Sequence, residues 1–430
     1  MAYTKGSLLY DGGEGFIYEV TENPDLLMKI YKETDMHGNR IASPELYKKL
    51  EFMKRNPPMG LIAKGAVAWP IDVIVDKTED GNMMLGFIMP RLKVDEHLLR
   101  IYSYRHPVLD EDEYDKFPSV KSRIAIGINL CSALQELHAK GYVIGDFNHE
   151  NIGVDYSTGQ VRFMDCDSFH LTDDEGTIYR TNVCMAGYLA PEIIRHCNNE
   201  RTEGNPHNLD SVTLPTFTVH SDNFCLALHI FKLLMNGVDP FRGIKSEATG
   251  CSTASPFVGN EAIERNAYVY KEGNKASAVF CPPAESLQPQ IVELFQKAFI
   301  EGRSDPSVRP NATLWYNALY ELLSNGIMQC ASNEKHHYFK HLPTCPYCKA
   351  DNKHYHEQTG FITKQYKVDP AVLLVQSAHD VVAYSRGKTQ TLYIITSLIL
   401  WVSTAIVYIV WNVSGWKYDS SVKSCQLVWI

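Results

Sequence analysis

An α+β fold is predicted: a small antiparallel sheet with one helix in about the first hundred residues, then a larger, mostly helical region to about residue 326. Three observations predict it. From Ser7 to Tyr31 two short strand-like runs flank a glycine turn. Beyond residue 118, apolar residues recur at three- and four-residue intervals, the period of a helix face. The stretch Phe224-Cys225-Leu226-Ala227-Leu228-His229-Ile230-Phe231-Lys232-Leu233-Leu234 is nearly all apolar, as a helix buried on every side requires.

The elements follow in order. Asn23-Pro24-Asp25 is a turn leading into the strand Leu26-Leu27-Met28-Lys29-Ile30-Tyr31. Ser43 and Pro44 suit an N-cap and first turn, and Leu46, Leu50 and Met53 have helical spacing, so residues 44–55 are read as an amphipathic helix stopped by Pro57-Pro58. Two more strands are expected at Val67 to Val75 and Met83 to Met89, across the polar turn Glu79-Asp80-Gly81-Asn82. Ile124, Ile128, Cys131, Leu134, Leu137 and His138 predict a long buried helix. Residues 242–287, rich in Ser, Ala, Gly and Pro, are expected to form a long surface insertion. No internal repeat is found.

The chain has 430 residues, 45% hydrophobic and 21% charged, so a large core is expected. A net charge of -9 offers no basic footprint and argues against nucleic acid as a partner. Most of the eleven cysteines are scattered singly, which fits reduced thiols rather than a disulfide framework. The opening Met1-Ala2-Tyr3-Thr4-Lys5-Gly6 has no apolar h-region, so no secretory signal peptide is expected.

The residues that carry chemistry fall in order along the chain. Gly12, Gly13 and Gly15 in Tyr10-Asp11-Gly12-Gly13-Glu14-Gly15-Phe16-Ile17-Tyr18 sit at a strand-to-strand turn, where backbone amides can approach phosphates. Such glycines are also common in plain hairpins. Lys29 lies within an apolar strand. Asp146 is followed five residues later by Asn151, in Gly145-Asp146-Phe147-Asn148-His149-Glu150-Asn151, and then by Asp165 at the end of Val161-Arg162-Phe163-Met164-Asp165-Cys166-Asp167. The ordered set supplies one proton acceptor and two oxygen ligands for magnesium, which with positioning is most of what phosphoryl transfer needs. Polar turn residues capping strands would explain one such side chain, not the set.

With these residues in view, residues 7 to 326 resemble the protein kinase family. Gly187-Tyr188-Leu189-Ala190-Pro191-Glu192 looks like its A-P-E segment, His220-Ser221-Asp222-Asn223-Phe224 the start of its central helix, and Asp239-Pro240-Phe241 the turn after it. Arg309-Pro310 resembles the arginine that pairs with the A-P-E glutamate, here Glu192. The closer similarity is to bacterial YegI-type kinases, with G-D-x-N-x-x-N and D-x-D-S-F, here Asp165-Cys166-Asp167-Ser168-Phe169. The resemblance implies a two-lobed kinase fold, a lobe of about 1–92 and a second of about 93–326. It implies that Asp146 is the catalytic base, that Asn151 and Asp165 hold magnesium and that Lys29 holds the phosphates of ATP. The glycines and Ile17 would lie over the nucleotide, with the strip from Met89 to Leu92 facing adenine.

The chain also departs from the family. Ile144-Gly145 replaces the usual His-Arg, Asn148 stands where Ser/Thr kinases carry a lysine, Tyr10 takes the first glycine position, and D-F-G has become Asp165-Cys166-Asp167. Glu45 and Glu51 are both candidates for the helix glutamate that pairs with Lys29.

After the kinase-like region, Cys330, His336, His337, His341, Cys345 and Cys348 cluster in residues 327–352. Two thiolates of a Cys-x-x-Cys turn with one more Cys and one His can share a tetrahedral zinc; Cys330, His337, Cys345 and Cys348 are taken as the set, though three histidines compete. YegI-type kinases are similar here as well. A linker of 353–390 leads to Thr391–Trp411, 21 residues without a charge and with Tyr393, Tyr408 and Trp411 near its ends. That length fits a transmembrane helix, which needs about 20 apolar residues, followed by a tail of 412–430. Arg386 and Lys388 against Lys417 and Lys423 put the kinase-like region on the cytoplasmic side of, in this reading, a bacterial inner membrane.

The expected function is a single-pass membrane-anchored kinase that moves the γ-phosphate of ATP, with Mg2+, to Ser or Thr of protein substrates, itself included. Its rival is a pseudokinase that binds nucleotide and acts as a scaffold, favoured by Asn148 and the altered glycine turn. A small-molecule kinase is a third reading, opposed by the A-P-E segment and Arg309.

Overall fold

The computed structural model describes residues 3–34, 41–77, 83–102, 120–155, 158–181, 184–200, 215–235, 237–245, 257–276, 283–332 and 337–345. The chain divides into two units, Met1–Ser377 and Ala378–Ile430. The second, with the expected span 391–411, lies outside the described residues.

The N-terminal strands form a sheet because short apolar runs alternate with tight turns. β1 (Lys5–Asp11), β2 (Gly15–Val20), β3 (Leu26–Tyr31), β4 (Asp72–Lys77) and β5 (Met83–Pro90) pair in the order β1-β2-β3-β5-β4, antiparallel throughout. Helix α1 (Pro44–Arg55) starts where its cap predicts, with the Leu46 N–H donating to Ser43 Oγ at 3.2 Å. Its buried residues are Lys49, Leu50, Phe52 and Met53, so a lysine sits on the face that otherwise carries apolar side chains.

Val67 to Val75 is not a single strand: β4 begins at Asp72. Val67, Ala68 and Trp69 are buried as an irregular connection instead. Its backbone is satisfied across the chain, Ala68 N–H donating to Phe163 O (2.9 Å) and Phe163 N–H to Ala66 O (2.8 Å), while Trp69 Nε1–H donates to Met53 O (2.8 Å). The segment thereby ties α1 and the sheet to the second half of the molecule.

Short helices α2 (Met59–Ala63) and α3 (Leu98–Tyr102) and the strand β6 (Glu96–His97) lead to the helical region. There α4 (Val120–Ala139) is buried along most of its length, and β6 joins the hairpin of β7 (Ile152–Val154) and β8 (Val161–Phe163). β9 (Leu171–Thr172) and β10 (Ile178–Tyr179) form a further pair. Then come α5 (Pro191–Glu200) and α6 (Val219–Leu234), the latter entered through a capping box at Thr218 and Ser221. α4 packs against α6 and against the later helix Ala312–Asn325.

Residues 242–287 are more than a surface insertion. β11 (Gly243–Lys245) pairs with β12 (Asn274–Ala276), and between them α7 (Gly259–Glu264) and the following turn bury Ile263, Tyr268 and Val269 in the main core. Polar composition concealed these few anchors. α8 (Pro289–Phe299) and α9 (Ala312–Asn325) complete the region.

Arg309 locks α5 to this core. Its guanidinium takes both Glu192 oxygens at 2.7 and 2.6 Å and donates to His220 O and Gly302 O at 2.8 and 2.9 Å. The fork geometry matches a carboxylate bidentately, and two further N–H groups donate to carbonyls.

Candidate functional site

Lys29 is buried on β3, where its register partners are Ile17 on β2 and Phe87 on β5. Its ammonium donates to Asp165 Oδ1 at 2.8 Å and to Asp167 Oδ2 at 2.7 Å, and lies 5.2 Å from the Tyr31 ring centre. The Tyr31 hydroxyl donates to the same Asp167 oxygen. Burial would lower the lysine's pKa, but Asp165, Asp167 and Glu14 outweigh it and raise it well above its usual value. Burial would likewise raise Asp167; Lys29, the Tyr31 hydroxyl and Lys49 outweigh it and hold this carboxyl below the usual range. Glu14, in the glycine turn, is pushed up by burial, which Lys29 only partly offsets.

Neither Glu45 nor Glu51 is a partner of Lys29. Glu45 is exposed in the first turn of α1, and Glu51 lies 3.7 Å from Lys54. Asp167 takes the place a helix glutamate was expected to fill, and α1 contributes Lys49 to the same charge cluster. Both were open to notice in the sequence, Asp167 as the second acid of D-x-D and Lys49 as a lysine on an apolar helix face. Their partnership across more than a hundred residues was not.

The loop after α4 is held from below. Asp222, fully buried on α6, accepts from the backbone N–H groups of Ile144 (2.8 Å) and Gly145 (3.1 Å), and His138 Nε2 lies 2.9 Å away. Gly145 has φ +74°, and a Cβ there would collide with the Thr181 side chain, so glycine is required at this bend. Asp146 follows, 9% exposed. One of its oxygens accepts from Met185 N–H (2.9 Å), the other from the side-chain amides of Asn148 (2.9 Å) and Asn151 (3.2 Å). Burial raises its pKa against these hydrogen bonds, which favours proton acceptance.

Asn148 acts as a loop staple: its Oδ1 accepts from the N–H groups of Glu150 (2.8 Å) and Asn151 (3.2 Å). Asn151 precedes β7 and Asp165 follows β8, so the hairpin brings them side by side, with Met164 N–H donating to Asn151 O at 3.0 Å. With its amide nitrogen committed to Asp146, Asn151 leaves its oxygen for a cation. Asp165 adopts φ 52°, ψ 39°, a left-handed bend that aspartate tolerates better than most residues. An amide oxygen and a carboxylate beside one another suit a magnesium ion, which prefers such hard ligands and retains several waters.

The glycines of the turn differ. Gly15 is structural, since a Cβ would stand 2.7 Å from Ile30 O on β3. Gly13 has open space on its Cβ side, and Gly12 N–H closes the turn onto Gly15 O at 2.9 Å. Ile17, Met89 and Leu92 join Leu46, Leu50 and Phe87 in one apolar cluster.

Farther along, β13 (Ile327–Gln329) pairs with β14 (His337–Phe339), setting Gln329 opposite His337. Cys330, His337 and Cys345 are buried, whereas Cys348 and His336 lie outside the described residues. Among the described residues, no group of three or more His, Cys, Asp or Glu is arranged to hold a metal ion; Cys348 of the expected zinc set lies outside them. Nor is any helix among the described residues long and apolar enough to cross a membrane.

Comparison with curated proteins finds similarity to Protein kinase YegI of Escherichia coli strain K12 and to its namesake in Escherichia coli O157:H7, each 29% identical over 362 residues. The matched region covers 81% of this chain and 49% of each relative, so the chain spans about half the length of the curated relatives it matches. No family model matches the chain.

Replacing Asp167 by Ala leaves the buried Lys29 ammonium with Asp165 alone and strands the Tyr31 hydroxyl. At pH 7 the variant should lose about 3 kcal/mol of unfolding free energy, the scale for removing one partner of a buried pair. Because the folded-state pKa of Asp167 is depressed, its stabilisation is complete above the unfolded value near ~4 and disappears as pH falls through the folded one. Urea unfolding should therefore show a gap between wild type and variant at pH 7 that narrows at low pH; an equal gap at both would show that the charge pair is not its source.

Proposed function

We propose that this relative of YegI-type protein kinases transfers the γ-phosphate of ATP to Ser or Thr hydroxyls of proteins, itself among them. The observation that carries the reading is the convergence of Lys29, Asp146, Asn151 and Asp165 on one site from three separate stretches of chain. In this reading the chain has a two-lobed kinase fold over residues 1–326, divided near residue 92. The match covers only 49% of the length of those relatives, so substrates and partners are proposals too.

Asp146 orients the attacking hydroxyl and accepts its proton as the hydroxyl oxygen bonds to the γ-phosphorus and ADP departs. The raised pKa of the buried carboxyl suits that task. Asn151 and Asp165 would hold magnesium, which when bound supplies positive charge against the phosphates. Lys29 would exchange Asp165 for phosphate oxygens while Asp167 keeps it in position. Ile17, Met89 and Leu92 offer apolar surface for adenine, and Gly13 a backbone that phosphates can approach.

The scaffold reading, nucleotide binding without transfer, is favoured by Asn148, whose amide is spent on Asp146 where Ser/Thr kinases carry a lysine. Labelled ATP with magnesium and the full chain in mild detergent separates the two. Label on Ser or Thr of the chain or of added protein that falls at least a hundredfold in Asp146→Ala is the expected result; nucleotide binding with no transfer by wild type would favour the scaffold.

Two further proposals concern the region past residue 326. A structural zinc held by Cys330, His337, Cys345 and Cys348 is supported by the donor set and by the β13–β14 hairpin, which brings Cys330 and His337 to one end. Metal analysis should find about one zinc per chain, lost in a Cys345→Ser, Cys348→Ser variant; metal-free wild type would reject the site. A single-pass anchor at 391–411, with the kinase-like region in the cytoplasm, is supported by its uncharged length. Protease outside intact cells should then spare residues 1–390, and digestion of the kinase-like region from that side would reverse the topology.

A further inference from the structure

Lys49 is unusual among the described lysines. It lies on the inner face of α1 beside Leu50, Phe52 and Met53, only 5% exposed, and no acceptor among the described residues is hydrogen-bonded to its ammonium. It stands within electrostatic reach of Asp167, Asp165, Glu14 and Lys29. Burial pushes its ammonium down to about 8, the three carboxylates opposing that shift and Lys29 adding to it. It therefore remains mostly charged at neutral pH. Among the described residues this ammonium has no hydrogen-bonded or ion-paired acceptor, and a largely buried cation of that kind beside a charge cluster is a functional-site candidate.

The surrounding charges point to which anion. Lys29 already has two carboxylates on it, whereas Lys49 has none bonded directly. Were Asp165 to turn toward a divalent cation, Asp167 would remain with Lys29, and Lys49 would keep only Glu14 and the shared Asp167 as opposing charges. Asn148 cannot serve as a phosphate cation, being neutral and committed to Asp146.

We propose that Lys49 is a second phosphate-binding cation of this site, taking terminal phosphate oxygens of a nucleoside triphosphate and supplying the positive charge that the Asn148 position lacks. The inference rests on the nucleotide reading of the same site. It assigns to α1 a direct contact with ligand, in place of a carboxylate that only positions Lys29. Charge-assisted hydrogen bonds to phosphate in a buried setting are strong, so the contact should govern discrimination between triphosphate and nucleoside.

The test compares wild type, Lys49→Met and Lys49→Arg as full chains in mild detergent, with affinities for ATP and adenosine read by displacement of a fluorescent nucleotide in the presence of magnesium. Methionine suits the apolar helix face, so the apo fold should survive, as thermal unfolding would verify. Lys49→Met should weaken ATP about tenfold or more, the usual scale for a lost charged hydrogen bond, with adenosine within about twofold and Lys49→Arg recovering most of the loss. An unchanged ratio of ATP to adenosine affinity overturns the proposal. If Lys49→Met does not fold, an acyl-phosphate derivative of ATP decides on wild type: acyl transfer to both Lys49 and Lys29, suppressed by excess ATP, supports the proposal, and transfer confined to Lys29 overturns it. Wild type that binds neither ATP nor adenosine would instead bring down the nucleotide reading itself.

Discussion

The ammonium of Lys29, clasped by Asp165 and Asp167, is the contact on which the rest of the site depends. It joins the third strand of the N-terminal sheet to the turn after β8, 136 and 138 residues away. Isolated in the interior, any of these charges would be strongly unfavourable; together, with the Tyr31 hydroxyl on Asp167, they form a satisfied network. The network fixes where the sheet can sit against the β7–β8 hairpin, and hence where the glycine turn lies relative to Asp146 and Asn151. It also divides labour between the two acids. Asp167 is nearly inaccessible and acts as the lysine's holder, whereas the side chain of Asp165 keeps 35% of its exposure and can turn to another cation.

A second buried acid supports the first. Asp222 receives the Ile144 and Gly145 amides from the first turn of α6, a helix buried along most of its length. The loop carrying Asp146 is therefore anchored on a buried helix, and its internal hydrogen bonds run through Asn148 and Asn151. Preorganised donors and acceptors of this kind need not rearrange when charge moves during reaction. The absence of an arginine before Asp146 is met sterically rather than electrostatically: glycine there allows the bend that brings Thr181 close.

How far all this was legible in the sequence varied with the range of the interaction. The helix at 44–55 with its Ser43 cap, the long helix after residue 118 and the apolar helix before Leu234 are governed by local spacing and were readable as such. Val67 to Trp69 looks like the start of a strand because it is apolar, but its hydrogen bonds go to Phe163 and Met53, partners that no local pattern discloses. In residues 242–287, a few buried anchors, Ile263, Tyr268 and Val269 among them, are diluted in polar sequence, and composition outvoted them. The ordered acids and Asn151 announced the site; the replacement of a helix glutamate by Asp167 did not, since it depends on two segments meeting in space. Lys49 occupies a helix-face position that should be apolar, and that misfit is the one local sign it carried.

The central claim is that this charge cluster is the resting form of a nucleotide site. A crystal structure of the chain with magnesium and a non-hydrolysable ATP analogue tests it most directly. The account predicts phosphates between the glycine turn and Asp165, with Asp165 turned to magnesium, Lys29 bonded to phosphate while still touching Asp167, and Asp146 free to face an incoming hydroxyl. A nucleotide bound elsewhere, or one bound while Lys29 stays clasped by both acids, would contradict it.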